Sequence, residues 1–326
     1  MSEPKQPAAP NADETVTPSS AHADLTNPTH RAGFVALVGA PNAGKSTLIN
    51  NLVGAKVAIV THKAQTTRAP IRGIAIEGTS QLIFVDTPGI FRPRRRLDRA
   101  MVHSALGAAA DADVVVLLVD AARGLDEDTE RILDKLGEIR QPRLLALNKI
   151  DKTEKPDLLA LTTNLSARLP FEAVFMISAL SGDGVGDLRK DLAGRVPLGH
   201  WLYPEDEISD APMRALAAEI TREKIYIRLH EELPYISTVE TSQWTELGPG
   251  KGVRIEQTIF VERDSQKQIV IGTGGQMIKE LSMASRKELS QILEMPVHLF
   301  LFVKVRQSWG DDPERYREMG LEFPEK

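Results

Sequence analysis

Gly39-Ala40-Pro41-Asn42-Ala43-Gly44-Lys45-Ser46 is the stretch that decides the fold, because it matches the pattern G-x-x-x-x-G-K-[ST]. In this pattern, consecutive backbone N–H groups surround a polyphosphate without side chains in the way. The apolar run Phe34–Val38 before it is typical of a buried parallel strand, and Thr47–Leu52 after it is typical of the first turns of a helix. A strand, a glycine loop and a helix in this order direct the helix N-terminus at phosphate.

The same loop predicts which residues hold the phosphates. We expect Lys45 to neutralise the β- and γ-phosphates and the hydroxyl of Ser46 to ligate Mg²⁺. A chance match in a glycine-rich turn is the alternative, and the flanking strand and helix argue against it. The predicted phosphate-binding residues are Gly39, Ala40, Pro41, Asn42, Ala43, Gly44, Lys45, Ser46 and Thr47.

Length and composition limit the kinds of protein this chain can be. Its 326 residues exceed one ordinary compact core and suggest two domains. The formal net charge of −5 argues against a protein that coats nucleic acid by bulk charge alone. Without cysteine there is no disulfide framework, no thiolate zinc site and no cysteine nucleophile, which fits a reducing cytoplasm. Residues 1–30 are rich in proline and small polar residues, so we expect a disordered tail rather than a signal peptide.

Residues 31–196 alternate predicted strands with predicted helices. This alternation favours an α/β domain with a mostly parallel six-stranded sheet and helices on both faces. Ligands of such sheets bind at the carboxyl ends of the strands. The predicted strands are Phe34–Val38, Ile71–Ile76, Gln81–Val85, Val114–Val119, Leu144–Leu147 and Ala173–Ile177.

Two segments after the first helix are placed to contact the γ-phosphate and Mg²⁺. Lys63–Arg68 is polar without a clear period, and a threonine in it could reach the metal, although an ordinary loop is equally consistent. Asp86-Thr87-Pro88-Gly89 follows a strand, so its carboxylate can hold Mg²⁺ through water and the Gly89 N–H can approach the γ-phosphate. The predicted catalytic residues are Lys45, Thr66, Thr67, Asp86 and Gly89, and the predicted metal ligands are Ser46, Thr67 and Asp86.

Asn148-Lys149-Ile150-Asp151 lies just after a predicted strand and indicates guanine recognition. Guanine presents N1–H and its N2 amino group side by side, so the Asp151 carboxylate can accept both, whereas adenine offers neither arrangement. We expect Asn148 to brace the loop and reach the base, and the aliphatic stem of Lys149 to cover one ring face. Ser178-Ala179-Leu180 can direct a backbone N–H at guanine O6. The predicted base-binding residues are Asn148, Lys149, Asp151, Ser178, Ala179 and Leu180.

Together these motifs resemble those of the translation-factor-like GTPases, which implies GTP or GDP and Mg²⁺ as ligands. Ile90 stands where Ras-like enzymes carry a glutamine that orients the attacking water, so we expect slow basal hydrolysis. The resemblance further implies that Asn42 helps to bind a K⁺ ion, which takes over the role of an arginine finger.

Phe91–Arg99 carries five arginines directly after these residues. A nucleotide-sensitive switch is expected at this position, so one interpretation is a surface that docks RNA or a ribosome. We favour a solvated helix start, because runs of charge are usually exposed.

The alternation stops at residues 197–212, which we interpret as a linker. Residues 213–326 predict a helix over Met213–His230 and strands over Ile236–Thr241, Val253–Glu262 and Val297–Val305. Between them lies a G-x-x-G turn, which brings backbone N–H groups and a helix N-terminus against a nucleic-acid backbone. This order resembles the prokaryotic-type KH domain of RNA-binding proteins, a smaller α+β domain. The RNA-binding residues it implies are Gly272, Thr273, Gly274, Gly275, Lys267 and Lys279.

Charge in the second domain limits how it can bind RNA. From Met213 to Lys326 there are 16 Lys and Arg residues against 18 Asp and Glu residues. Basic residues cluster in sequence around the glycine turn, so affinity would come from that patch and depend modestly on salt. Many relatives carry a lysine inside the turn where this chain has Thr273, which removes one phosphate contact.

The combination of Gln65-Thr66-Thr67-Arg68, Tyr203-Pro204-Glu205-Asp206 and Phe260–Lys267 resembles the Era family of bacterial GTPases, over about residues 31 to 320. The resemblance implies a GTP-hydrolysing switch whose KH domain binds 16S ribosomal RNA near its 3′ end. It also implies a role in assembly of the small (30S) ribosomal subunit. We expect a cytoplasmic monomer with some association with the cytoplasmic face of the inner membrane.

Two other interpretations stay open. The first is an RNA-binding chaperone whose nucleotide domain is only structural, and the intact Lys45, Asp86 and Asp151 argue against it. The second is a related GTPase in tRNA modification or membrane-linked signalling. Such enzymes usually carry helical or catalytic partner domains, which makes the KH-like region an argument against this interpretation.

Overall fold

The computed structural model describes residues 29–63, 65–307 and 312–324. The predicted tail, residues 1–30, lies outside this range except for its last two residues. Two separate sheets, each with its own helices, form two parts of the chain. Within the described ranges, no helix combines the length and the apolarity needed to cross a bilayer.

Six strands form the sheet of the first part. They are β1 Arg31–Gly39, β2 Ile71–Glu77, β3 Ser80–Asp86, β4 Val114–Asp120, β5 Arg143–Asn148 and β6 Ala173–Ile177. Their order across the sheet is β2-β3-β1-β4-β5-β6, with β2 antiparallel to β3 and all other neighbours parallel. The predicted mostly parallel α/β sheet is confirmed.

Helices cover both faces of this sheet. They are α1 Lys45–Val53, α2 Arg96–Asp111, α3 Glu127–Gly137, α4 Lys155–Arg168 and α5 Val185–Arg195. Apolar side chains of α1 and α5 pack on one face, and those of α2, α3 and α4 pack on the other. All seven residues of β4 are buried, because a strand between two helical layers has no solvent face. The parallel strands therefore end at one shared edge, where the predicted nucleotide residues follow them.

Three strands and the helices around them form the second part. The elements are α6 Met213–Arg228, α7 Leu233–Ile236, β7 Thr238–Glu246, β8 Val253–Val261, α8 Asp264–Ile271, α9 Gln276–Ile292 and β9 Val297–Val305. β8 is the central strand, antiparallel to β7 and parallel to β9. The α+β KH-type order is confirmed. The strand predicted to begin at Ile236 begins at Thr238, because Ile236 belongs to the short helix α7.

Residues 197–212 run along the first sheet before they reach α6. The Gln81 side chain accepts the N–H groups of Leu202 and Tyr203 at 2.8 and 3.0 Å. Ser209 forms an isolated bridge with Gly73 of β2. These bonds hold the predicted linker against β2 and β3.

Residues 312–324, which we name the C-terminal segment, return from the second part to α2. The segment includes α10 Pro313–Glu318. Tyr316 and Leu321 are 1% and 4% exposed, and they pack with Leu97 and Met101 of α2. The guanidinium of Arg96 lies 4.7 Å from the centre of the Phe323 ring. The apolar face of α2 that the first sheet leaves uncovered is buried in this way.

Candidate active site

The phosphate loop connects β1 to α1 at the carboxyl edge of the sheet. Gly44 has a φ of 104°, and a Cβ there would lie 2.3 Å from Nδ2 of Asn148. A Cβ on Gly39 would lie 2.4 Å from the carbonyl oxygen of Leu118. Both positions therefore require glycine, and the loop packs against the ends of β4 and β5 as bare backbone.

Lys45 is buried inside this loop. Its Nζ donates to the carbonyl oxygens of Gly39 at 3.0 Å and Ala40 at 3.1 Å. Burial lowers the pKa of Lys45 to about 8, and the Asp86 carboxylate opposes that shift. A triphosphate in the loop would supply the negative charge that favours the protonated form, because opposite charges raise the pKa of an ammonium group. Lys45 thus has the setting of a phosphate-binding lysine.

Ser46, Thr67 and Asp86 form a cluster whose chemistry fits Mg²⁺. Ser46 Oγ donates to Asp86 Oδ2 at 2.7 Å, Thr67 Oγ1 donates to the same oxygen at 3.0 Å, and the two hydroxyls lie 3.0 Å apart. Asp86 is fully buried, and its Oδ1 has no hydrogen-bond partner. Burial raises the pKa of Asp86, although Lys45 and the two hydroxyls lower it. Mg²⁺ prefers oxygen ligands of this kind, and a cation would satisfy the unpartnered oxygen.

The structure separates the two predicted threonines. Thr66 Oγ1 donates to the Lys63 carbonyl at 2.9 Å and lies 2.7 Å from the hydroxyl of Thr61. Its hydroxyl therefore bonds within its own loop, and Thr67 is the threonine that adjoins Ser46 and Asp86. Of the two threonines, Thr67 is thus the one that lies beside the predicted metal ligands Ser46 and Asp86.

Gly89 and Ile90 bring the segment after β3 against the phosphate loop. A Cβ on Gly89 would lie 3.0 Å from the backbone nitrogen of Pro41, so glycine allows the closest approach. The Ile90 N–H donates to the Gly39 carbonyl at 3.2 Å, and the Ile90 side chain is buried in the core beneath. Ile90 thus offers no polar side chain to an attacking water.

Asp98 caps the helix that begins in the arginine-rich stretch. Its Oδ2 accepts the N–H groups of Arg94 and Arg95, both at 2.9 Å, and α2 starts at Arg96. Its Oδ1 accepts Nε2 of Gln65 at 3.1 Å. The arginines Arg92, Arg94, Arg95 and Arg99 are exposed around this start, in agreement with the favoured interpretation.

Asn148 joins three loops of the site. Its Nδ2 donates to the Ala43 carbonyl at 2.7 Å, and its Oδ1 accepts the Ala179 N–H at 2.8 Å. The side chain thereby braces the phosphate loop against the loop after β6. Asp151 lies in a 3₁₀ turn over Ile150–Lys152 and is exposed at the cavity.

Lys149 pairs with a carboxylate that sequence reasoning left out of the site. Its Nζ donates to Asp120 Oδ2 at 2.6 Å and to the Asn42 carbonyl at 2.9 Å. These bonds hold the lysine against the phosphate loop. Asp120 ends β4, and a carboxylate at the end of a buried strand is the signal that could have found it, since parallel strand ends share this edge.

The predicted residues surround one cavity of about 250 Å³. Those on its wall are Pro41, Asn42, Gly44, Lys45, Ser46, Thr47, Thr66, Thr67, Gly89, Asn148, Lys149, Asp151, Ser178, Ala179 and Leu180. The predicted residues that support this wall from behind are Gly39, Ala40, Ala43 and Asp86. The cavity thus brings together the residues predicted for phosphate, metal and base, as a nucleoside triphosphate requires.

The G-x-x-G turn joins α8 to α9 on the other sheet. Gly272 has a φ of 75°, and a Cβ there would lie 2.7 Å from Cβ of Met277, so the close contact between the two helices requires glycine. Gly274 and Gly275 also have positive φ angles. The exposed predicted RNA-binding residues are Thr273, Gly274 and Lys279, and Gly272, Gly275 and Lys267 are half-buried. The turn and the start of α9 are therefore accessible to a nucleic-acid backbone.

Comparison with protein families and known proteins gives matches over both parts. Residues 34–149 match the family described as 50S ribosome-binding GTPase, and residues 232–310 match the KH domain family. GTPase Era of Rhizobium meliloti is 63% identical over 294 residues, which cover 90% of this chain and 94% of that protein. GTPase Era of a Bradyrhizobium species is 64% identical over 294 residues, which cover 90% of this chain and 95% of that protein.

Solved structures of Era match both parts in one superposition. A variant of Aquifex aeolicus Era bound to GDP.AlF4- has a TM-score of 0.83 and 38% identity, and the match covers 89% of this chain and 99% of that one. Era in complex with MgGDPNP and nucleotides 1506–1542 of 16S ribosomal RNA has a TM-score of 0.84 at the same identity and coverage. The chain therefore belongs to the Era family of GTPases, enzymes that convert GTP to GDP and phosphate.

Proposed function

We propose that this chain is a GTP-hydrolysing switch that binds small-subunit ribosomal RNA near its 3′ end through its KH domain and acts in assembly of the 30S subunit. The observation that carries the proposal is the combination of one cavity with phosphate, metal and base residues and a second sheet with an exposed G-x-x-G turn. A purely structural nucleotide domain would not need the buried, unpartnered oxygen of Asp86.

The site residues take distinct roles in this proposal. Lys45 holds the β- and γ-phosphates, and Ser46, Thr67 and Asp86 hold Mg²⁺, which neutralises charge on the transferred phosphoryl group. The Gly89 N–H contacts the γ-phosphate, so the conformation of the segment after β3 depends on whether the γ-phosphate is bound. Asp151 selects guanine. Because Ile90 supplies no water-orienting group, hydrolysis is slow until a partner or an ion adds charge stabilisation.

The RNA partner is inferred from a relative. Era in the complex with MgGDPNP holds nucleotides 1506–1542 of 16S ribosomal RNA, and that protein aligns with both parts of this chain. We assign the glycine turn and Lys279 to the RNA backbone. A switch has two domain arrangements, of which one binds RNA. GTP must favour the RNA-binding arrangement over the other arrangement by a larger binding free energy than GDP does.

RNA affinity in the two nucleotide states tests this proposal. An RNA with the sequence of the 3′ end of 16S rRNA should bind at least about tenfold more tightly with a non-hydrolysable GTP analogue than with GDP, since coupling free energies are typically large enough for this factor. Fluorescence anisotropy with labelled RNA measures both constants. Equal affinity in the two states would contradict the switch.

The turn offers matched controls for the same measurement. Thr273 is exposed, so Thr273→Asp places a carboxylate beside the RNA backbone without disturbing the core, and it should weaken RNA binding. Thr273→Lys should strengthen it and steepen the salt dependence by about one phosphate contact. A scrambled RNA of the same length reports the non-specific part.

We also propose that Asn42 helps to bind K⁺ at the phosphate loop. Asn42 is exposed at the cavity with a φ of 65°, and its carbonyl is already held by Lys149. A monovalent cation beside the transferred phosphate would supply part of the positive charge that an arginine finger supplies elsewhere. GTP turnover should then be faster in K⁺ than in Na⁺ buffer, and Asn42→Ala should remove the difference. Equal rates for the unmodified protein would exclude this role.

The remaining assignments are proposals. We propose that the protein acts as a monomer in the cytoplasm, with part of it on the cytoplasmic face of the inner membrane. We divide it into a nucleotide domain over residues 31–196, a linker over 197–212 and an RNA-binding domain over 213–326. The two separate sheets support this division.

A further inference from the structure

The loop that carries Thr67 is held from the second part of the molecule. Arg222 Nη2 donates to the Thr66 carbonyl, and Tyr226 Oη donates to the Gln65 carbonyl at 3.2 Å. Both side chains are buried, at 2% and 0% exposure. They lie one turn apart on α6, so one face of this helix reaches the backbone on the N-terminal side of Thr67.

Arg68 makes the corresponding contacts on the C-terminal side of Thr67. Its Nη1 donates to the Ser237 carbonyl at 2.9 Å, and its Nη2 donates to the carbonyls of Pro234 at 3.0 Å and Tyr235 at 2.9 Å. Arg68 is 4% exposed. Its Nη2 also donates to Tyr226 Oη of α6 at 3.2 Å. Thr67 is therefore fixed between neighbours that both bond with α6, and on the C-terminal side also with the residues around α7.

The backbone between these contacts has an uncommon conformation. Gln65 has a φ of 59°, which is uncommon for a residue other than glycine and persists where surrounding contacts enforce it. Tyr226 donates to the Gln65 carbonyl, and the Gln65 side chain donates to Asp98 at the start of α2. Hydrogen bonds from buried, charged guanidinium groups are among the stronger ones in proteins, so Arg222 and Arg68 are suited to this task.

We propose that Arg222 and Tyr226 are positioning residues for GTP hydrolysis: from the KH domain, they hold the Gln65 and Thr66 backbone so that Thr67 stays at the metal. The hydrolytic site is then completed by a domain whose side chains do not line the nucleotide cavity. The inference rests on the proposed role of Thr67 and requires no RNA.

Loss of these contacts should affect turnover and Mg²⁺ use more than nucleotide affinity. Thr67 serves the metal and the γ-phosphate, and GDP has no γ-phosphate, so GDP affinity depends on the phosphate loop and on Asp151 instead. If Arg222 had only a structural role, its loss would lower thermal stability and would change turnover, Mg²⁺ use and GDP affinity together.

The test is single-turnover GTP hydrolysis by full-length Arg222→Gln and Tyr226→Phe proteins without RNA. The rate should fall about 10- to 100-fold for both variants, because each loses a hydrogen bond that involves a charged guanidinium. Arg222→Gln loses the bond to the Thr66 carbonyl, and Tyr226→Phe loses both the bond to the Gln65 carbonyl and the bond that its hydroxyl accepts from Arg68. GDP affinity should stay within about twofold, and half-maximal turnover should need more Mg²⁺.

Arg214→Gln is the matched control. Arg214 lies on the same helix two turns earlier, and its Nη2 donates to the Ser242 carbonyl within the second part. It should hydrolyse GTP at the unmodified rate. Tyr226→Phe keeps the buried ring and removes one oxygen, so it decides the question if Arg222→Gln does not fold.

Thr67→Ala separates the inference from the proposed function beneath it. If Thr67→Ala hydrolyses GTP normally, the metal role of Thr67 is wrong, and the inference falls with it. If Thr67→Ala is slow while folded Tyr226→Phe and Arg222→Gln keep the unmodified rate, the positioning role alone is wrong. If the positioning role is correct, the double variant Arg222→Gln with Thr67→Ala should hydrolyse GTP at nearly the rate of Thr67→Ala alone, because both changes remove the same interaction.

Discussion

Asp86→Asn should reduce kcat/KM for GTP by roughly 100- to 1,000-fold, the scale expected when a preorganised electrostatic contact to the reacting group is lost. The carboxylate gathers the hydroxyls of Ser46 and Thr67 on Oδ2 and leaves Oδ1 unpartnered in a fully buried position. Asparagine keeps the shape and removes the negative charge that a divalent cation needs. Steady-state hydrolysis over a Mg²⁺ titration measures the effect.

The stability of the same variant distinguishes a chemical effect from unfolding. Burial raises the pKa of Asp86, so the folded state disfavours the ionised carboxylate at neutral pH more than the unfolded state does. Removal of the charge should therefore leave the nucleotide-free protein at least as resistant to thermal unfolding at pH 7. Asp113→Asn is the matched control, because Asp113 comes just before β4, at the edge of the sheet opposite to Asp86, and accepts the Phe34 N–H at 2.7 Å. A slow Asp113→Asn enzyme, or an active Asp86→Asn enzyme, would contradict the assignment.

Asp151→Asn should exchange the base preference of the site. Its amide offers one donor and one acceptor, which match the C2 carbonyl and N1–H of xanthine, whereas guanine needs two acceptors. GTP affinity should fall by roughly 100- to 10,000-fold, the equivalent of two hydrogen bonds to a charged group, and xanthosine triphosphate should become the better ligand. Competition between the two nucleotides, measured by calorimetry, reports the ratio directly.

Glu154→Gln is the control for this exchange. Glu154 is an exposed carboxylate just before α4, in the same connection as Asp151 but outside the cavity wall. Its loss should leave the GTP preference intact. Unchanged GTP selectivity in Asp151→Asn would remove this carboxylate from base recognition.

Residues whose partner is a ligand could be predicted from sequence, because the chemistry of phosphate, Mg²⁺ and guanine restricts residue type and spacing. The sequence predicts Lys45, Asp86 and Asp151 for this reason. The buried strands were found from their apolar runs, and their ends from the polar residues that follow. Within the described residues, the sheet of the first part contains all six predicted strands.

Contacts that depend on the distant part of the chain could not be predicted. Thr66 and Thr67 are chemically alike, and the sequence does not show that Thr67 is the one that donates to Asp86. Arg68 bonds with backbone carbonyls, which every residue possesses, so no sequence pattern marks its partners. The same holds for the C-terminal segment, whose few apolar residues gave no periodicity to interpret.

Synthesis of this protein delivers the nucleotide domain long before the residues that brace it. Chains fold from the N-terminus as they leave the ribosome, so α2 emerges before Tyr316 and Leu321 can bury its face. The Arg68 guanidinium likewise emerges before the Pro234 carbonyl exists to receive it. At that stage the contacts from Pro234 to Arg68 and from the C-terminal segment to α2 are absent. The loop that carries Thr67 is therefore expected to reach its final conformation only after the second part of the chain has been synthesised.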